Sequence, residues 1–352
     1  MIEPFTLAVD AMGGDQAPDV VVAGMDIAAE RHPKARFLLV GDEARLAPLL
    51  RRSRRARDAC TVRHAPEAIG GDMKPTAALR VRASSMRVAI DAVASGEASG
   101  VVSAGNSGAL LALAKILIKT LPGIDRPAMA AVGPSARGDV VMLDLGANVQ
   151  YDARNLVEFA VMGDVFARTV LGLPRPSIGL LNVGSEELKG DERVRQAAEV
   201  LRVSHIGPQF HGFVEGHDIT AGTTDVVVTD GFTGNVALKT GEGALKLVGD
   251  LLKQVFTGSV AAKMGYVLAK PGLDRMRVWL DPRRYNGAVM LGLNGVVVKS
   301  HGGTDAEGFA HAVDVAMDMV VHRFNERIRD GLALIVGLDD PGKDGPHLAV
   351  VR

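Results

Sequence analysis

Six times along this chain a loop of glycine, asparagine, serine, threonine and aspartate breaks the apolar pattern: "DAMGGDQAP", "SAGNSGAL", "DLGANVQ", "NVGSEELKG", "TDGFTGN" and "SHGGTDAEG". Most of these loops follow a short run of strand-forming residues, as in "FTLAVDA", "GDVVMLDLGAN", "PSIGLLNVGS" and "TDVVVTDG". Helical periodicity then takes over, most clearly in "DVVVAGMDIAAERH" and "NLVEFAVMGDVFARTVLG". Strands that alternate with helices predict βαβ units and a mostly parallel sheet covered by helices on both faces, a three-layer α/β/α architecture. In such a sheet ligands bind outside the carboxyl ends of the strands, where unpaired helix N–H groups and the helix dipole favour an anion. One small-polar loop is weak evidence, since the same residues close ordinary turns. Six in one chain predict a shared anionic ligand.

Composition agrees with this outline. The chain has 352 residues, 47% of them hydrophobic but only 4% aromatic, which suits an aliphatic core of helices packed on a sheet. No proline- or glycine-rich linker divides it, so residues 1–330 are expected to form a single catalytic domain, with two lobes as a variant of it. A projecting helical hairpin is expected near residues 250–284 and a loosely held tail over 331–352. The formal charge of −1 gives no case for a nucleic-acid partner, and none is expected. Cys60 is the only cysteine, which excludes an internal disulfide and reads as a small apolar residue. No basic, apolar leader is visible, and the apolar run from Ala109 to Ile118 is interrupted by Lys115, so a cytoplasmic location is expected. The arginines of "RRSRRARD" (Arg51 to Asp58) read first as a solvated helix end, with a binding patch as the competing reading.

Familiar chemical signatures are missing from the sequence. There is no G-x-G-x-x-G after the first strand, no G-x-x-x-x-G-K-[ST], no G-x-S-x-G and no H-E-x-x-H. Neither a cofactor nor a metal is therefore expected. What remains suits an enzyme that positions two substrates, one of which is the nucleophile.

The stretches "AVDAMGGDQAP", "SAGNSGALL", "GIDRPA", "LDLGANV", "NVGSEELKG", "TDGFTGNVALKT" and "NGAVMLGLNGVVVKSHG" resemble, in order and over about Leu7 to Val320, the bacterial phosphate acyltransferases of phospholipid synthesis. The resemblance implies a fold related to phosphotransacetylases and to isocitrate and isopropylmalate dehydrogenases, and a homodimer. It implies transfer of a fatty acyl group from acyl-carrier-protein thioester to inorganic phosphate, giving acyl phosphate. It further implies that Lys189 and Asn235 are the functional lysine and asparagine. Two departures from the family pattern are Arg80 and Arg82 flanking Val81 in "RVRASSM", and His301-Gly302-Gly303-Thr304.

On this reading phosphate attacks the thioester directly and no covalent acyl-enzyme forms. Lys189 would meet the phosphate charge and the Asn235 amide would donate to phosphate or oxyanion, with capping of the following helix as a competing role for Asn235. Gly13, Gly14, Gly105, Asn106, Ser107, Gly184, Ser185, Thr233, Gly234 and His301 are candidates for binding phosphate or substrate. Asp10 and Asp15 would repel an anion, so they are expected to organise neighbouring N–H groups. The basic and apolar residues between Lys253 and Arg284, broken at "GYVLAKPGL", predict a hairpin tip that meets an anionic membrane surface. Packing on a second subunit is the alternative for that tip. The product's next user would be a membrane acyltransferase, so peripheral membrane association is expected. Two other classes remain open: a nicotinamide-dependent dehydrogenase of the related fold, and a non-catalytic carrier-protein or membrane scaffold.

Overall fold

The computed structural model describes residues 5–334. Eleven strands form one sheet: β1 (Thr6–Asp10), β2 (Arg36–Gly41), β3 (Cys60–His64), β4 (Gly100–Ser103), β5 (Ala128–Ser135), β6 (Gly138–Leu143), β7 (Ile178–Leu181), β8 (Phe210–Val214), β9 (Val226–Val228), β10 (Ala288–Leu291) and β11 (Val296–Lys299). Between β1 and β4 run helices α1 (Asp19–Arg31), α2 (Glu43–Arg52), α3 (Ala56–Ala59), α4 (Pro75–Ala78) and α5 (Ser85–Ala94). Then come α6 (Ser107–Leu117), α7 (Ala153–Val170), α8 (Glu192–Val203) and α9 (Gly216–Ala221). The last four are α10 (Gly231–Thr257), α11 (Val260–Trp279), α12 (Ala306–Val321) and α13 (Phe324–Ala333).

The strand order is β3-β2-β1-β4-β11-β10-β5-β6-β9-β7-β8, and antiparallel pairing occurs only around β10 and β5. The sheet is thus mostly parallel, as the alternation of strands and helices predicts. Successive side chains of a strand face opposite layers. Leu7 and Val9 of β1 enter one core with α1, α7 and α12, while Ala8 enters a second with α5 and α6. A third cluster, formed by Val140 and Met142 of β6 with Val227, is covered by Ala237 and Leu238 of α10. The outcome is the three-layer arrangement expected.

Three reversals, at β10, β5 and β6, split the sheet into two lobes whose parallel strands point in opposite directions. The register then sets the lobes against each other. Val298, one residue before the end of β11, pairs with Val289, Val289 with Ala130, Ala130 with Leu143, and Leu143 with Val228. Leu143 and Val228 are themselves the last residues of β6 and β9. The carboxyl ends of the two lobes therefore meet at one level of the sheet, facing opposite ways.

Two expectations need correction. The hairpin near 250–284 is larger than expected and turns at Gly258–Ser259. α11 runs unbroken through Pro271 and Gly272. Proline removes one backbone donor, but the exposed helix continues past it. The expected boundary at residue 330 falls inside α13, whose Leu332 is buried against the first core. The rest of the proposed tail, 335–352, lies outside the described residues.

Candidate functional site

Opposite strand polarity divides the six small-polar loops into two sets of three. The first set leaves β1, β4 and β11, and its members touch. Asp15 N–H donates to the Gly302 carbonyl at 2.9 Å, and Ser300 N–H to that of Ser103 at 2.9 Å. Asp10 ends β1 with a buried carboxylate that accepts from Ser85 and Ser103 hydroxyls, each at 2.6 Å, and from Met12 N–H at 3.3 Å. Burial raises its pKa, against the pull of these hydrogen bonds. Asp10 thus organises donors around itself. Gly14, at φ +105°, takes the left-handed turn that lets the β1 loop lie on Ala104 and Gly302.

Within this set the candidates differ in what they have free. Asn106 accepts Ala109 N–H at 3.0 Å as the cap of α6, and its amide donates to the carbonyls of Gly71 and Met73. That geometry gives Asn106 a structural occupation. Ser107 and His301 are exposed, and Gly303 N–H donates to His301 Nδ1 at 3.1 Å, which leaves Nε2 to carry the proton of the neutral ring.

Two residues of this set were not singled out from the sequence. Asn286, buried, accepts His301 N–H at 2.8 Å and donates to Ser300 Oγ at 2.8 Å and to the Gly308 carbonyl at 2.6 Å, so it shapes the β11 loop from outside. Lys299 ends β11, with Nζ donating to the carbonyls of Ala104 at 3.3 Å and of Ser300. Burial pushes its ammonium down to about 8, opposed by Asp10 and Asp15 and aided by Lys239 of α10. The sequence signal was a charge placed directly after three valines of a buried strand.

The second set leaves β6, β7 and β9. Asp144, fully buried, follows β6, and burial raises its pKa despite five hydrogen bonds from Met129, Gly146, Ala147 and Asn148. The Asn148 carbonyl accepts Gly231 N–H at 2.8 Å, which ties this loop to the start of α10. Helix α10 begins at Gly231 under the cap of Asp230, which accepts the N–H groups of Phe232 and Thr233. Asn235 is therefore within the helix, and the capping role considered for it falls to Asp230. Its exposed amide lies over Gly146, 3.8 Å from where a side chain there would begin. Gly234 permits a close approach, since a Cβ would stand 2.0 Å from the Asp144 carbonyl oxygen.

Lys189 sits on the β7 loop, where Asn182 donates to its carbonyl at 3.0 Å. Its side chain is half exposed and crosses Gly184, where a Cβ would lie 2.5 Å from Lys189 Cδ. The ammonium pairs with Glu186 at 2.7 Å, which raises its pKa. Ser185 is exposed beside it. Thr233, Asp230, Asn182 and Tyr151 line a cavity of about 160 Å³ between the β7 and β9 loops. Arg193 stacks 4.1 Å above the Tyr151 ring and pairs with Asp191 at its edge.

One cleft gathering all six loops was expected. The structure joins Gly13, Gly14, Gly105, Asn106, Ser107 and His301 on the loops of one lobe and carries Gly184, Ser185, Lys189, Thr233, Gly234 and Asn235 on the loops of the other. Asn235 and Lys239 share one helix face, four residues apart, and Lys239 is near enough to Lys299 to weigh on its charge. Among the described residues no group of histidine, cysteine, aspartate or glutamate side chains could hold a metal ion.

A family model described as "Fatty acid synthesis protein" matches residues 5–327. The "Phosphate acyltransferase" of Granulibacter bethesdensis is 72% identical over 345 residues, covering 97% of this chain and 94% of that protein. That of Gluconacetobacter diazotrophicus is 75% identical over 331 residues, covering 94% and 88%. Among solved structures, a phosphotransacetylase from Streptococcus pyogenes superposes with a TM-score of 0.62 at 18% identity, covering 91% of this chain and 95% of that one. At that identity the likeness concerns the fold alone.

Proposed function

The chain belongs to the bacterial phosphate acyltransferase family, and from that premise we propose that it moves a fatty acyl group from the thioester of acyl-carrier protein to inorganic phosphate. Membership of an acyltransferase family displaces the dehydrogenase and the silent scaffold readings. The observation that carries the proposal is near-full-length identity to relatives of that name.

A phosphate oxygen attacks the thioester carbonyl carbon, the carbonyl oxygen takes up negative charge, and the C–S bond then breaks to release the carrier thiolate. Acyl phosphate is the product. Direct attack asks the protein for positioning rather than for a nucleophile, and positioning supplies about 7–11 kcal/mol of such barriers. The exposed Asn235 amide is the donor for the developing oxyanion, a role worth about 3–4 kcal/mol. Lys189, held across Gly184, is the cation on the phosphate side once it leaves Glu186. We read the protein as a homodimer that meets an anionic membrane surface through the α10–α11 hairpin, from which the product passes to a membrane acyltransferase. Support comes from the hairpin, which buries only Gly231 and Gly234 among its residues and exposes Leu247, Val255, Val260 and Leu268.

The test is phosphate-dependent loss of thioester from acyl-carrier protein, with acyl phosphate trapped by hydroxylamine. No turnover at saturating phosphate rejects the reaction. Labelled acyl group retained on quenched enzyme rejects direct attack. Light scattering that finds only monomer at micromolar concentration rejects the dimer.

A further inference from the structure

Resting on the reading that phosphate is the acyl acceptor, we propose that Lys299 supplies a further positive charge, beside that of Lys189, which holds this anion at the junction of the β1, β4 and β11 loops.

Lys299 is anchored but not neutralised. Two of the three ammonium donors go to the carbonyls of Ala104 and Ser300, which carry no net charge. Among the described residues no carboxylate lies within ion-pair distance of its Nζ. Asp10, at the end of β1 on the far side of β4, already accepts from Ser85, Ser103 and Met12. Asp15 is exposed on its loop. From the other lobe Lys239 adds a second positive charge across the gap, its own ammonium paired with Glu242 at 2.8 Å. The charged groups around Lys299 are thus Asp10 at the end of β1, Asp15 on the β1–α1 loop and Lys239 on α10, with exposed His301 two residues on. A largely buried ammonium without a direct counter-ion is costly to keep, and such groups concentrate where a ligand completes them.

The ligand chemistry follows from the surroundings. Glycine-rich backbone meets at the junction at Gly13, Gly14, Gly105 and Gly302, so few side chains crowd it, although the Gly105 N–H already donates to Ser103 Oγ at 3.0 Å. A small oxyanion fits that lining, and inorganic phosphate near neutral pH is a mixture of the monoanion and the dianion. Asn235 stands on the α10 face that leads to Lys239, so an anion held by Lys299 would lie toward the lobe that carries the proposed oxyanion donor. Lys299 then positions the acceptor, and Asn235 stabilises the acyl oxygen.

Calorimetric titration with inorganic phosphate tests this without an acyl donor. Lys299→Met should weaken phosphate binding at least tenfold at pH 7. Wild-type binding should weaken between pH 7 and pH 9 as the ammonium is lost, whereas Lys299→Arg should keep its affinity over that range. Melting temperature separates a loop-holding role: on this proposal Lys299→Met melts no lower than wild type, because a buried charge has been removed. Phosphate affinity of Lys299→Met within twofold of wild type overturns the proposal, the more so if that variant melts lower. Wild type that binds no phosphate overturns the functional reading itself, and this inference with it.

Discussion

Asp144 grips Asn148 at two points, accepting its backbone N–H at 2.7 Å and its side-chain amide at 2.9 Å on the same carboxylate oxygen. The other oxygen accepts from Met129, Gly146 and Ala147. Through Asn148 the grip reaches Gly231, and through Gly146 it reaches the surface on which Asn235 lies. Asp144→Asn would turn an NH₂ group toward donors that now face an oxygen. Each hydrogen bond to a charged group is worth about 1.5–3 kcal/mol, so the variant should lose about 3 kcal/mol of stability in denaturant titration. Its turnover should fall as well, because the start of α10 shifts with the loop. Full activity in a refolded Asp144→Asn enzyme would break the link between this carboxylate and Asn235.

Asn235→Ala should separate catalysis from folding. Because Asp230 caps α10, Asn235 contributes no cap, and alanine is the better helix former at an interior position. Thermal stability should be unchanged or slightly higher, while kcat falls on the order of 10²-fold, the effect of losing one oxyanion donor. Asp230→Ala should reverse the pattern, losing about 1 kcal/mol of stability with a smaller change in kcat. Steady-state kinetics with melting curves on both variants read the contrast directly.

Lys189 has a competitor in Glu186. An exposed ion pair of this kind adds little stability, so Lys189→Ala should fold normally and lose turnover. Glu186→Gln frees the ammonium and should leave the KM for phosphate equal to or below that of wild type. A rise in KM for Glu186→Gln would mean that the carboxylate orients Lys189 instead of competing with substrate.

The strands and helices around these residues were legible because their signals are local. "VVV" at 226–228 has the β-branched composition of a buried strand, and a small-polar loop followed by a helical pattern marks each crossover. The polarity of the two lobes was not legible. It follows from β10 and β5 inserting antiparallel between β11 and β6, a long-range pairing that the β-hairpin pattern of "AMAAVGPSARGDVVML" does not encode. For the same reason six similar loops read as one group, whereas the chain distributes them between two lobes. The start of α10 was misplaced because "DGFTGN" has turn composition, while Asp230 supplies a cap strong enough to begin the helix on a glycine. Lys299 escaped notice because its burial depends on β4 and β10 flanking it.

Lys299 also predicts how stability varies with pH. Its folded pKa is about 8, below the ordinary value of 10.5, so between those limits the unfolded chain binds more protons than the folded one. Stability contributed by this group therefore rises as pH increases from about 8 toward 10.5, and the burden of burying the charge is fully present below pH 8. Urea titrations of wild type minus Lys299→Met should show a difference that grows in favour of wild type over that interval. A flat difference would place the ammonium in a more solvated setting.

The hairpin offers the last prediction. Its two helices are held near the turn by an edge-on contact of Phe256 with Tyr266, 5.6 Å between ring centres, and Ser259 caps α11 through Ala262 N–H at 3.0 Å. The turn at Gly258 therefore projects on a rigid pair of helices. Around it Val255, Val260 and Met264 are exposed beside Lys253 and Lys263, and Leu268 farther along α11 is 85% exposed. Each lysine near an anionic leaflet adds about 1 kcal/mol of attraction, enough for reversible attachment when apolar side chains enter the interface beside it. Two tips on one side of a dimer would reinforce each other. Val260→Glu with Met264→Glu puts two negative charges on one face of α11, four residues apart, without touching any of the three cores. Co-sedimentation with vesicles rich in anionic lipid should drop at least tenfold, with acyl transfer to phosphate in solution retained. Undiminished sedimentation together with conversion to monomer would instead assign this face to the partner subunit.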